Sequence, residues 1–154
     1  MAQLKILIDN RHEERLPTPP LEQKTERILN ALGCDAHEIS IVIMDDPGIK
    51  ELNATYRGKD TATNVLSFPM QEGEFSDITP GLLGDVVISV DTAAREAQEA
   101  GIVLEERMSQ LLIHGILHLL GFDHELGDAD ADKMEEKSLE LLRIVEANPG
   151  LSAF

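Results

Sequence analysis

Hydrophobic and polar positions divide the chain into nine segments whose periods alternate between strand and helix. QLKILID, residues 3–9, reads as a first strand. Thr18, Pro19 and Pro20 open a helix in which Leu21, Thr25, Ile28, Leu29 and Leu32 share one face, and Gly33 stands where a helix ends in a left-handed residue. HEISIVIM, residues 37–44, is a β-branched run expected to form a strand buried on both faces. After Asp46, Pro47 and Gly48 comes a short helix to about Tyr56. NVLSFPM and GDVVISV read as two further strands joined by a polar loop. Asp91 is expected to cap a helix that Gly101 ends. Residues 104–120 are apolar nearly all round, as in a buried helix, and an amphipathic helix follows over roughly 129–146, with 147–154 as a loose tail.

This order predicts an α+β (mixed α/β) fold, a single layer of about four strands packed with about five helices, as one domain over 1–154. A chain of 154 residues suffices for one sizeable core, and no repeat or Gly/Ser linker marks a second. Cys34 is the only cysteine, so no intrachain disulfide forms, which fits a reducing compartment. MAQLKILIDN has neither a basic leader region nor a long apolar stretch, and the longest apolar runs fall short of a membrane span. A cytoplasmic protein without a membrane partner is expected. The formal charge of −16 weighs against a general polyanion binder, and no DNA partner is expected. Any RNA must be handled by a local basic patch.

The candidate chemistry lies in HGILHLLGFDH, residues 114–124, which holds three of the five histidines. On a helix, positions four apart differ by about 40° in azimuth, so His114 and His118 project from one face, one turn apart. A third ligand requires the chain to leave the helix, and Gly121 supplies the exit that brings His124 back. Three imidazoles with one vertex open describe a catalytic zinc site, in which bound water acidifies to a pKa of about 7. A structural site would close its fourth position with Cys or His, and none lies near in sequence.

The spacing H-x3-H-x2-G-x2-H resembles that of metzincin metalloproteases, with one departure. Their general base follows the first histidine, where this chain has Gly115. A glycine inside a helix costs about 1 kcal/mol relative to alanine, so it implies either a tight helix contact or space above the metal. Without that carboxylate, a zinc hydrolase of peptides or amides is the weaker alternative. Asp128, Asp130 and Asp132 start like a calcium loop, but Lys133 and Leu139 stand where its glycine and closing glutamate belong. They are better read as acids at a helix N-terminus. Met134 is read as a core contact of the last helix, and Asp123 as a turn residue or a proton acceptor beside the ligands.

HGILHLLGFDH, with the upstream LNATYRGKDTATNVLSFP and LGDVVISV, resembles the YbeY family of bacterial metal-dependent endoribonucleases. The resemblance runs from about Leu52 to His124. It implies an α+β fold bearing one zinc ion and a single-strand-specific endoribonuclease that matures the 3′ end of small-subunit ribosomal RNA and serves ribosome quality control. The partners it implies are ribosomal RNA and the ribosome or its small subunit. By position, the ligands fall on His114, His118 and His124, and the motif arginine falls on Arg57. A guanidinium can hold a phosphodiester bidentately and stabilise its developing charge, and Lys59 adds a point charge beside it. The competing account of both cations is a solvated helix end facing its own dipole. A non-catalytic, metal-stabilised ribosome-assembly factor is a further alternative. Where the family pattern reads TDVLSFP, this chain reads TNVLSFP, so Asn64 keeps an acceptor oxygen and loses the charge that a base or an ionic partner of Arg57 would need.

Overall fold

A computed structural model describes residues 4–34, 37–70, 82–122 and 127–154. Within them the chain runs β1 (Lys5–Asn10), α1 (Thr18–Ala31), β2 (Glu38–Met44), α2 (Asp46–Arg57), β3 (Val65–Pro69), β4 (Leu82–Ser89), α3 (Val90–Ala100), α4 (Leu104–Leu119) and α5 (Asp128–Val145). Four strands and five helices in this order are the expected α+β arrangement. The sheet order is β1-β2-β4-β3, with β1, β2 and β4 parallel and β3 antiparallel to β4 at the edge. Parallel neighbours need a crossover, and α1 supplies the one between β1 and β2.

The two faces of the sheet are covered unequally. Ile39, Ile41 and Ile43 of β2 and Val86 and Ile88 of β4 enter the main core, where helices α1, α4 and α5 bury Ile28, Leu112 and Leu142 against them. The opposite face holds a small cluster of Met44, Leu66 and Val87 under Ile49 of α2. The expectation that 37–44 is buried on both faces is therefore corrected: alternate residues Glu38, Ser40 and Val42 are only half-buried, because α2 is the one helix that covers that side among the described residues.

Helix α4 is the innermost helix, with Leu111, Leu112, Ile113, Ile116 and Leu117 fully buried. Among the described residues no helix is long and apolar enough to cross a membrane. Residues 147–154, expected as a loose tail, contain no helix or strand, yet Leu151 is buried in the main core and the Gln110 amide donates to the Ser152 carbonyl at 2.9 Å.

The cap of α3 also differs from expectation. Ser89, the last residue of β4, accepts from the Thr92 backbone N–H at 3.3 Å, while Asp91 lies in the first turn. The Asp91 carboxylate instead takes the Asp46 backbone N–H at 2.9 Å and the Arg15 guanidinium at 2.5 Å. Asp46 accepts from the Ser89 and Thr92 hydroxyls, both at 2.6 Å, and from Arg95 at 2.8 Å. Burial pushes the Asp46 carboxyl up, but the two hydroxyls and Arg95 outweigh it and hold the carboxyl below its ordinary value of 3.8. The Arg15 hydrogen bond, then the Asp46 N–H, lowers Asp91 in the same way.

A carboxyl depressed in the folded state adds stability above its unfolded pKa of about 3.9, and that stability is lost as pH falls through the folded value. Asp46→Asn is therefore expected to destabilise the protein by about 1–3 kcal/mol at neutral pH, the cost of leaving partners unpaired. The gap between the two proteins should shrink as pH falls below about 4, which urea melts across that range will measure. A gap constant with pH would dissociate the carboxylate from the effect.

Candidate metal centre

The second half of α4 carries the two histidines that the spacing placed together. The Nε2 atoms of His114 and His118 lie 3.1 Å apart, with ring centroids separated by 4.6 Å. Both rings are half-buried. Nitrogens sharing a tetrahedral zinc at 2.0–2.1 Å stand about 3.3–3.4 Å from each other, so this pair fits two vertices of such a site. Two imidazole lone pairs aimed at each other also repel unless a proton or a cation lies between them, so the donor set suits a divalent ion.

The helix ends as the sequence predicts. Leu120 closes it, Gly121 takes a φ of +93°, and the Phe122 N–H returns to the Leu117 carbonyl at 3.0 Å. His124 and Asp123 lie outside the described residues. Among the described residues no three His, Cys, Asp or Glu side chains gather as a cation site.

Gly115 faces the sheet. A Cβ there would stand 2.7 Å from Val86 Cγ1, 3.2 Å from Ser67 Oγ and 3.3 Å from Val65 Cγ2. Of the two reasons for a glycine at this position, the tight helix contact is the one the packing supports. A glutamate in the metzincin place has no room.

Edge strand β3 joins this helix to Arg57. The Ser67 hydroxyl donates to the Gly115 carbonyl at 3.1 Å, and the Ser67 carbonyl accepts from Arg57 Nη2 at 2.9 Å. Arg57 sits in the last turn of α2, which Gly58 closes at a φ of +69°, and its guanidinium lies 5.8 Å from the Phe68 ring centroid. Arg57 is exposed, as is Lys59 beyond the turn. One residue, Ser67, thus touches both the arginine and the neighbour of His114.

Asn64 turns the other way. Its amide donates to both Glu96 oxygens at 3.2 and 3.3 Å, and the Arg107 guanidinium binds the same carboxylate at 3.0 Å. An aspartate at this position would face the Glu96 carboxylate without a proton to donate. Met134 is buried in the core as expected, and it also lines a cavity of about 310 Å3 beside His114. Asp128 and Asp130 occupy the first turn of α5, where acids meet the positive end of the helix.

Sequence reasoning missed Phe154, whose ring stacks on His114 with centroids 3.8 Å apart and planes 20° from parallel. Arg107 and Gln110, which hold the segment around it, did leave a signal. With His114 and His118 they form one polar stripe, at i, i+3, i+7 and i+11, along a helix whose second half is otherwise apolar.

A mixed four-stranded sheet, packed against a helix that aims two imidazole nitrogens at one point beside a guanidinium-bearing edge, defines an α+β protein with a candidate metal centre. A family model described as endoribonuclease YbeY matches residues 7–146, and the chain belongs to that family. The chain is 50% identical over 145 residues to the endoribonuclease YbeY of Geobacter metallireducens, covering 93% of this chain and 97% of that one. To the endoribonuclease YbeY of Aquifex aeolicus it is 53% identical over 116 residues, 75% of each chain. The solution structure of TM1509 from Thermotoga maritima is similar at a TM-score of 0.65 and 28% identity, covering 97% of this chain and 99% of that one.

Proposed function

We propose that this chain is a zinc-dependent, single-strand-specific endoribonuclease of the cytoplasm, acting on ribosomal RNA at the 3′ end of the small-subunit transcript and in ribosome quality control. The observation that carries the reading is the convergence of the His114 and His118 Nε2 atoms, 3.1 Å apart, in a chain of this family. His124 completes the ligand set by its place in the motif. The chemistry that bound zinc supplies is Lewis acidity, toward a phosphoryl oxygen or toward water.

The chain's own residues do the rest. Arg57 has five N–H donors, and the Ser67 carbonyl takes one of them, which tethers the guanidinium to β3. The donors left over can grip a phosphodiester bidentately and stabilise charge developing on its oxygens. Lys59, one residue past the Gly58 turn, adds attraction without fixing geometry. In a chain of net charge −16 these cations supply little non-specific affinity, so specificity comes from docking on a structured partner, the ribosome or its small subunit.

The test pairs elemental analysis with cleavage of a single-stranded RNA, a duplex control and a ribosomal RNA precursor, before and after chelation. Activity should vanish on chelation and return with zinc, and undiminished cleavage by stripped protein would overturn the reading. Arg57→Ala is expected to slow cleavage about 100- to 1,000-fold, the scale of one lost charge-stabilising donor. Its melting temperature should be unchanged, because the side chain is exposed. A slowing of less than about tenfold would remove Arg57 from the reaction.

A further inference from the structure

We infer that Phe154 is a positioning residue for His114, held in place by a clasp formed from residues 151–154. The inference rests on His114 being a metal ligand, as proposed above. A histidine χ2 is a broad, roughly two-fold torsion, so an imidazole on a helix face is not oriented by its own rotamer. A cavity of about 310 Å3 borders His114 on the side of Met134 and Ser138, which gives the ring room to turn. The Phe154 ring lies against the imidazole at 3.8 Å and 20° and, beside the 3.1 Å contact of its Nε2 with that of His118, restricts that freedom.

Phe154 is 46% exposed, so burial alone does not hold it there. Its backbone is anchored instead. Leu151 is buried in the main core, the Gln110 amide donates to the Ser152 carbonyl at 2.9 Å, and Arg107 donates to the Phe154 carbonyl. Arg107 is only 7% exposed and is fixed by Glu96 at 3.0 Å and by the Gln110 side-chain carbonyl at 2.8 Å. Its guanidinium also stands 5.0 Å from the Phe154 centroid. The ring is therefore placed by a buried, charge-assisted network on the same helical stripe as the ligand it orients. Groups that orient a metal-binding histidine typically change metal affinity when removed, though they never touch the ion.

Zinc affinity and release are measured by competition with a chromophoric chelator, and cobalt(II) spectra report the ligand geometry. Phe154→Ala is expected to weaken zinc binding about tenfold, speed its release and alter the cobalt spectrum, with the melting temperature of the metal-free protein unchanged. Phe154→Tyr should restore affinity, and Phe154→Leu, which fills space without a flat face, should not. Wild-type affinity in Phe154→Ala, or full rescue by Phe154→Leu, would overturn the inference and leave the proposed function standing. A wild-type protein that binds no zinc would overturn both.

Discussion

Alanine at His114 is expected to remove divalent-metal binding and RNA cleavage together, with cleavage falling by roughly a thousandfold or more, the several kcal/mol a metal contributes to charge stabilisation. The reason is geometric. His114 supplies one of two described nitrogens that lie 3.1 Å apart, and a site left with two of its three proposed imidazoles cannot hold an ion at comparable strength. The fold should survive, because the His114 ring is half-buried at the rim of a cavity and Leu111, Leu112 and Ile113 keep α4 in the core. Zinc content per chain, cleavage of single-stranded RNA and a thermal melt on one preparation separate these effects. Stoichiometric zinc retained by His114→Ala would sink the ligand assignment. Loss of cleavage with zinc retained would instead make His114 a group acting on the RNA.

The amphipathic periods made most of this architecture readable in advance, and where they misled, the cause is local. Strand 37–44 looks two-sided because Ile and Val occupy successive positions, but only Ile39, Ile41 and Ile43 meet the three-helix layer. Asp91 looks like a cap because it precedes a helical pattern, yet β4 runs straight into α3 and makes Ser89 the cap. The histidine pair was legible because helical geometry alone brings residues four apart to one face. Contacts that depend on tertiary packing were not. Nothing in LSAF, residues 151–154, indicates that Phe154 crosses to α4. The Asn64 amide finds Glu96 only because α3 packs beside the start of β3. The polar stripe of Arg107, Gln110, His114 and His118 marks the face of α4 that bears the candidate site, but not what covers it.

Glutamate at position 115 is expected to destabilise the protein strongly and not to create a peptidase. The argument starts from alanine. A Cβ at 115 meets Val86 Cγ1 at 2.7 Å, and Val86 is fully buried and β-branched, with no flexible end to give way. Overpacking of this kind costs about 1–3 kcal/mol, against about 1 kcal/mol of helix propensity gained over glycine, so Gly115→Ala should be destabilised by about 1 kcal/mol. Glutamate adds a carboxylate pressed between α4 and the edge of the sheet, where Ser67 Oγ already donates to the Gly115 carbonyl. An uncompensated buried charge adds roughly 3–5 kcal/mol, which lowers the melting temperature of a domain this size by about 10 °C or more. Thermal melts of the three proteins, with a peptide-library screen of zinc-loaded Gly115→Glu, measure both effects. A glutamate variant that melts like wild type would mean that the spacing of α4 from the sheet is not set at this residue, and any peptide cleavage by it would return the metzincin-type mechanism to consideration. A Cβ at the position after the first histidine would meet Val86 and Ser67, so the same motif spacing that serves a protease in one fold leaves no place for its base in this one.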